Sequence, residues 1–276
     1  MNTFLYDLAL ETEDRWREVD SLISHAEKTE NIDKLFHDAL CRAIIVLTVA
    51  QLERYVRDIA KCTLQDINKF SSFAETPSDL KRTFCKTFLD GLPSGLDTEN
   101  RTQSLIKVFD SLSPKFILDP FLVEDARGNN KNPSPNIISR IFINFGIKDI
   151  FVRLHNSKID TVFNGEPSEA NTVIRELREH VLEKLQYFPY QTDSGVLEIK
   201  PSTEISKKNK TLYQEFLDEL LNQRNNVAHG SSLPNSKTIQ ELRLFRDKVI
   251  ILGYALLILM GTQFQIEHPN DDEASP

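Results

Sequence analysis

"TLYQEFLDELLNQRNNVAHGSSLPNSKTIQELRLFRDKVIILGYALLILMGTQF", residues 211–264, is the most legible stretch of the chain. Tyr213, Phe216, Leu217, Leu220, Leu221, Val227 and Ala228 recur at helical spacing and predict a helix over Thr211–Ala228. Gly230 follows where a helix C-terminus is expected. Thr238 and Glu241 have the spacing of a capping box and open a second helix that runs to about Phe264. The link "SSLPNSK" is short, which predicts an antiparallel pair. Val249–Met260 is the longest apolar run. It falls short of the ~20 residues of a bilayer span, so it predicts core, with part of it facing a partner.

Outward from this pair the same periodicity continues. Leu5, Leu8, Trp16, Val19, Leu22 and Ile23 predict a helix over Phe4–Ala26, and Ile32–Asn68 predicts a longer one. Ala43–Ala50 is apolar all round, the mark of a helix buried on several sides. "PSDLKRTFCKTFLDG" is a helix opened by Pro77 and closed by Gly91. Further helices are expected over Arg101–Leu112, Asn136–Phe145, "KDIFVRLH" and Glu169–Phe188, with a long loop through "RGNNKNPSP". Ser157–Pro167 is a polar break, and "GVLEIK" is a candidate short strand. The expectation is an all-α helical bundle with long connecting loops, a single domain over 1–268 and a disordered tail at 269–276.

Only 9 glycines and 12 prolines in 276 residues agree with helices rather than a turn-rich β fold. The net charge of −8 argues against a broad nucleic-acid-binding surface but leaves room for a small basic site. Cys41, Cys62 and Cys85 match no zinc or redox spacing and suggest reduced thiols of a cytoplasmic protein. Met1–Trp16 lacks the pattern of a signal peptide, and no membrane span, Gly-rich phosphate loop or cofactor motif is expected. His25, His37, His155, His180 and His268 show no metal spacing.

The chemistry-bearing segment is "LLNQRNNVAHGSS", residues 220–232. At about 100° per residue Arg224 shares a stripe with Leu217, Leu221 and Ala228, while His229 lies about 140° away, nearer Asn222 and Asn225. Both can face one cleft if the helix frays at Gly230. Arginine forks onto two phosphate oxygens, and histidine exchanges a proton near neutrality. Together they suffice for metal-free RNA transesterification, in which a 2′-hydroxyl attacks the adjacent phosphate. The plainer reading pairs Arg224 with a carboxylate and leaves His229 to complement the helix dipole.

"RNNVAHG", residues 224–230, resembles the RN-x-x-AHG form of the R-x(4–6)-H signature of HEPN domains. "IIVLTVAQLERYVRDIA", residues 44–60, resembles the early helix of that family. "NPSPNIISRIFINFGI", residues 132–147, resembles a segment upstream of the signature in its RiboL-PSP-type branch. The resemblance implies that Arg224 and His229 are catalytic and that Asn225 orients them. Glu53 has two readings of equal weight: a carboxylate that holds Arg224 or His229, and an ordinary helix-surface residue. The resemblance further implies an RNA substrate, a homodimer with two signatures in one cleft, no DNA substrate, and a toxin or phage-defence setting with an antitoxin or other defence-system protein as partner. The alternative is a non-catalytic module that binds a protein or nucleotide-type ligand. Outside the signature, "KKNK" (207–210) and Arg54, Arg57 and Lys61 are read as solvated, and Trp16 as core.

Overall fold

The computed structural model describes residues 1–89, 97–122, 132–199, 210–229 and 237–265. Gly91, most of "RGNNKNPSP", the first three residues of "KKNK", Gly230 with most of the "SSLPNSK" link, and the tail after Glu267 lie outside the described residues.

Among the described residues every named element is helical: α1 Phe4–Leu10, α2 Thr12–Thr29, α3 Lys34–Phe70, α4 Ser78–Lys86, α5 Thr98–Leu112, α6 Pro135–Asn144, α7 Ile150–Arg153, α8 Asp160–Phe163, α9 Ala170–Lys184, α10 Leu212–Ala228 and α11 Ile239–Gln263. An isolated bridge between Tyr190 and Gln265 is the only β pairing among them. The all-α expectation holds. Residues 194–197, where a strand was a candidate, form a 3-10 turn.

α3 is the central element, with α1, α2, α10 and α11 packed along it. Asp33 caps its start by accepting from Phe36 N–H. The single helix expected over Phe4–Ala26 is broken at Glu11, where ψ is −7°. Thr12 explains the break: its hydroxyl donates to Leu8 C=O at 3.1 Å and shares a 3.0 Å hydrogen bond with Tyr55 of α3. α1 can then dock on α9 while α2 follows α3. Asp66, fully buried, fixes the start of α1 by accepting from Phe4 N–H at 2.7 Å and Leu5 N–H at 3.1 Å, and it accepts from Tyr190 Oη at 2.9 Å.

α11 fills the space between α9, α3 and α2. Every residue from Val249 to Gly261 is buried. The expectation that part of this run faces a partner is therefore corrected: the run is used up inside the chain. The capping boxes that open α10 (Thr211, Gln214) and α11 (Thr238, Glu241) both form. The two helices touch through Phe216–Phe245 rings 5.9 Å apart and a Lys237–Glu219 ion pair at 2.8 Å, an antiparallel order of contacts. Their closer backbone packing is with α3.

The turn-rich middle is held by rings. Phe73 packs against Phe84, Phe109 and Phe116 at 5.2–5.9 Å. The series continues through Phe121 and Phe145 to Phe264 at the end of α11. This aromatic seam anchors α4, α5 and α6, and so fixes α6 beside α10.

Candidate active site at the end of α10

α10 begins in the core and ends outside it. Leu217 is fully buried and Leu221 nearly so, whereas Ala228 and His229 are exposed. Arg224, on the same stripe one turn later than Leu221, is half-buried. An arginine on an apolar stripe is thus accounted for without a buried anion: the stripe leaves the core at Arg224.

The helix keeps its geometry to the motif. His229 is the C-cap, with φ −91° and ψ 2°, and its N–H donates to Asn225 C=O at 2.9 Å. No fraying is seen as far as His229, and Gly230, where it was expected, lies outside the described residues. Arg224 Nη1 donates to Asn225 Oδ1 at 3.2 Å, which draws the guanidinium round toward the Asn225 side of the helix. Positions 218, 222, 225 and 229 share a stripe roughly 60° wide at 100° per residue. His229 and the Arg224–Asn225 unit therefore approach one side of α10 from two adjacent stripes.

That side is a groove. Asp218, Leu221, Asn222 and Asn225 of α10 face Ser134, Asn136, Ile137 and Arg140 around the start of α6, across a cavity of about 950 Å³ that Asn132 and Lys210 also line. Lys210 Nζ is held by Asp218 at 2.6 Å, which raises its pKa. Arg140 is exposed and forms no ion pair among the described residues. Amide side chains offer donors and acceptors together, and Arg140 adds a cation. Sequence reasoning missed Arg140, Asn136 and Asn222. The one available signal was the likeness of residues 132–147 to a segment of the same family, which did not show that α6 lies across from α10.

Glu53 lies half-buried on α3. No ion pair or hydrogen bond among the described residues joins it to Arg224 or His229, although α10 packs against α3. Among the described residues no group of three or more His, Cys, Asp or Glu is placed to hold a metal. Burial pushes the thiols of Cys62 and Cys85 up to about 12 and about 11, which keeps them protonated.

No curated protein and no solved structure matches the chain. A family model, RiboL-PSP-HEPN, matches residues 10–165. The match runs from the end of α1 through α8 and takes in both upstream segments, 44–60 and 132–147; it stops before α9 and does not include Arg224 or His229. Since it covers more than half of the 276 residues, the chain belongs to the RiboL-PSP-HEPN family.

Proposed function

We propose that this HEPN-type module is a metal-independent endoribonuclease acting as a homodimer. The observation that carries the reading is the arrangement at the end of α10. Arg224 is tied to Asn225 beside the groove, and exposed His229 continues the stripe that lines it. Arg224 would neutralise the scissile phosphate, Asn225 would hold the guanidinium, and Arg140 would contact the neighbouring backbone.

In the reaction a 2′-hydroxyl gives up its proton and attacks the adjacent phosphorus. The bond to the 5′-oxygen breaks, and that oxygen takes a proton. The products are a 2′,3′-cyclic phosphate and a 5′-hydroxyl. His229 would carry one proton transfer and its counterpart across a dimeric cleft the other. The family resemblance supports a cytoplasmic toxin or anti-phage effector, restrained by an antitoxin or another defence protein. A second reading, a non-catalytic interaction module, is favoured by one observation: of the two cations that line the groove, Lys210 is already paired with Asp218.

The test is incubation of the purified chain with RNA in EDTA. Cleavage with cyclic-phosphate ends is expected, and RNA with 2′-deoxy at the cut site should resist. His229→Ala should abolish cutting with the melting temperature unchanged, because the side chain is exposed. Arg224→Lys should also fail, since lysine keeps the charge and loses the fork. Cutting of DNA, or strict dependence on added magnesium, would overturn the mechanism.

A further inference from the structure

The groove between α6 and α10 holds amide side chains that serve no purpose in the fold. Asn136 and Asn222 line it and are exposed, and neither side chain makes a hydrogen bond among the described residues. Asn136 and Arg140 stand one turn apart on α6, and Asn222 and Asn225 three positions apart on α10, so each helix presents its pair on one face. Asn225 is committed to Arg224, and Lys210 to Asp218. Arg140 and the amides of Asn136 and Asn222 are left uncommitted. Leu221, nearly buried, and Ile137, half-buried, supply apolar lining.

We propose that this groove takes one unstacked adenine of a single-stranded RNA, held between Asn136 and Asn222, with Arg140 on a phosphate beside it. The inference rests on the RNA-cleaving reading given above and adds the strandedness and the base. A primary amide presents a donor and an acceptor side by side. Adenine offers the complementary pair on one edge, N6–H as donor and N7 as acceptor, and asparagine meets both at once. Guanine has two acceptors there, O6 and N7, which suit a guanidinium instead, and a pyrimidine has a single group on that edge. Because the two amides stand on facing walls, a base between them can meet one from each side.

Size and charge agree with this reading. The cavity, about 950 Å³, is at the top of the ~300–1,000 Å³ range of small-ligand sites. That is room for a nucleotide with its flanking phosphates and not for a duplex, whose base edges are in any case out of reach, whereas unpaired bases can be splayed out. The chain carries a net charge of −8, and the Lys210–Asp218 pair leaves Arg140 as the one uncompensated cation among the described groove residues. Phosphate contacts alone are too few to hold the strand, so base contacts must supply much of the affinity. With Arg140 and Arg224 on phosphates, log K should fall against log salt with a shallow slope of about −1.4. Asn225 joins the groove to Arg224, so the base held there lies next to the phosphate that is cut.

The experiment is fluorescence anisotropy on the full chain carrying His229→Ala, so that the probe is not consumed. The probes are short labelled RNAs: oligouridine, oligouridine with one central adenine or guanine, and the adenine strand annealed to its complement. The adenine strand should bind roughly tenfold or more tighter than oligouridine, and the duplex no tighter than oligouridine. Asn136→Ala combined with Asn222→Ala should erase that preference, with the melting temperature unchanged because both side chains are exposed. Arg140→Ala should weaken every single strand alike and flatten the salt slope by about 0.7. With His229 intact, cuts should fall beside unpaired adenines, and the double asparagine variant should lose that bias. Equal affinity for the adenine strand and oligouridine, or an adenine preference untouched by the double variant, overturns the inference. A guanine preference lost in Arg140→Ala overturns it too, since the guanidinium would then read the base, as does tight binding of the duplex. RNA cleavage with no base preference overturns this inference alone. Adenine-selective binding by a chain that cuts nothing upholds the groove and overturns the nuclease reading.

Discussion

Asn225 lines the groove and accepts from the Arg224 guanidinium, while neither Arg224 nor His229 lines the groove itself. Arg224 and His229 were legible because the R-x(4–6)-H spacing is a local pattern. The angle between them on an ideal helix left their meeting to a frayed end. The structure keeps the helix intact as far as His229 and ties the Arg224 guanidinium to Asn225. A hydrogen bond to a charged group contributes about 1.5–3 kcal/mol, so Asn225→Ala should lower kcat/KM by roughly 10- to 100-fold. Asn225→Asp keeps the acceptor and should recover part of the loss. Equal loss in both variants, measured by single-turnover cleavage, would show that the bond positions nothing. Glu53 was the ambiguous residue, and sequence alone had no means of separating its two readings, because both place a carboxylate at the edge of an apolar stripe. The structure gives it no hydrogen bond or ion pair to Arg224 or His229 among the described residues.

At the scale of elements, periodicity located α3, α9, α10 and α11 to within a few residues, because each buries one face or nearly all of itself. It failed where an element ends for reasons outside itself. The break at Glu11 depends on Thr12 meeting Tyr55, 43 positions away, and α8 is a single turn inside a segment that reads as polar. The antiparallel α10–α11 order was foreseen, but not that α3 would take the closer contact with each. Gly253 marks how tightly α11 lies on α3: a Cβ there would stand 2.8 Å from Tyr55 Cε1. The Tyr55 ring is buried and its hydroxyl is held by Thr12, so it has little room to yield. Gly253→Ala should therefore destabilise the fold by about 1–3 kcal/mol, despite alanine's better helix propensity. A chemical denaturation midpoint equal to or above that of the unaltered chain would contradict this packing.

Across the whole molecule, the long central helix and the aromatic seam divide the work. Helix packing builds one half of the fold, and phenylalanine rings hold the turn-rich middle in place. The seam was not legible, since rings at irregular spacing carry no period. Asp66 joins three parts of the chain: α3, the start of α1 and the segment after α9. Burial raises its pKa, against the opposing effect of its hydrogen bonds. A folded value above the unfolded one means that the native state binds the proton more readily. The stability this group contributes is thus fully present below the ordinary carboxylate pKa, and it is lost as pH rises through the raised value. Asp66→Asn should remove that slope, while costing an acceptor. Urea melts of both proteins over a pH series give the difference curve. A difference that grows in the opposite direction would place the carboxylate's pKa below its usual range.

α10 passes out of the core one turn before its end, so the residues proposed to cut RNA rest on almost none of the packing that keeps the chain folded. Selection can then act on them separately. On the proposed function, a substitution at position 224 or 229 would silence the chemistry and leave a sound protein. If the proposed activity and pairing hold, such a module would drift between an armed form and a disarmed one at little structural cost, and a disarmed copy paired with an armed one would inhibit it.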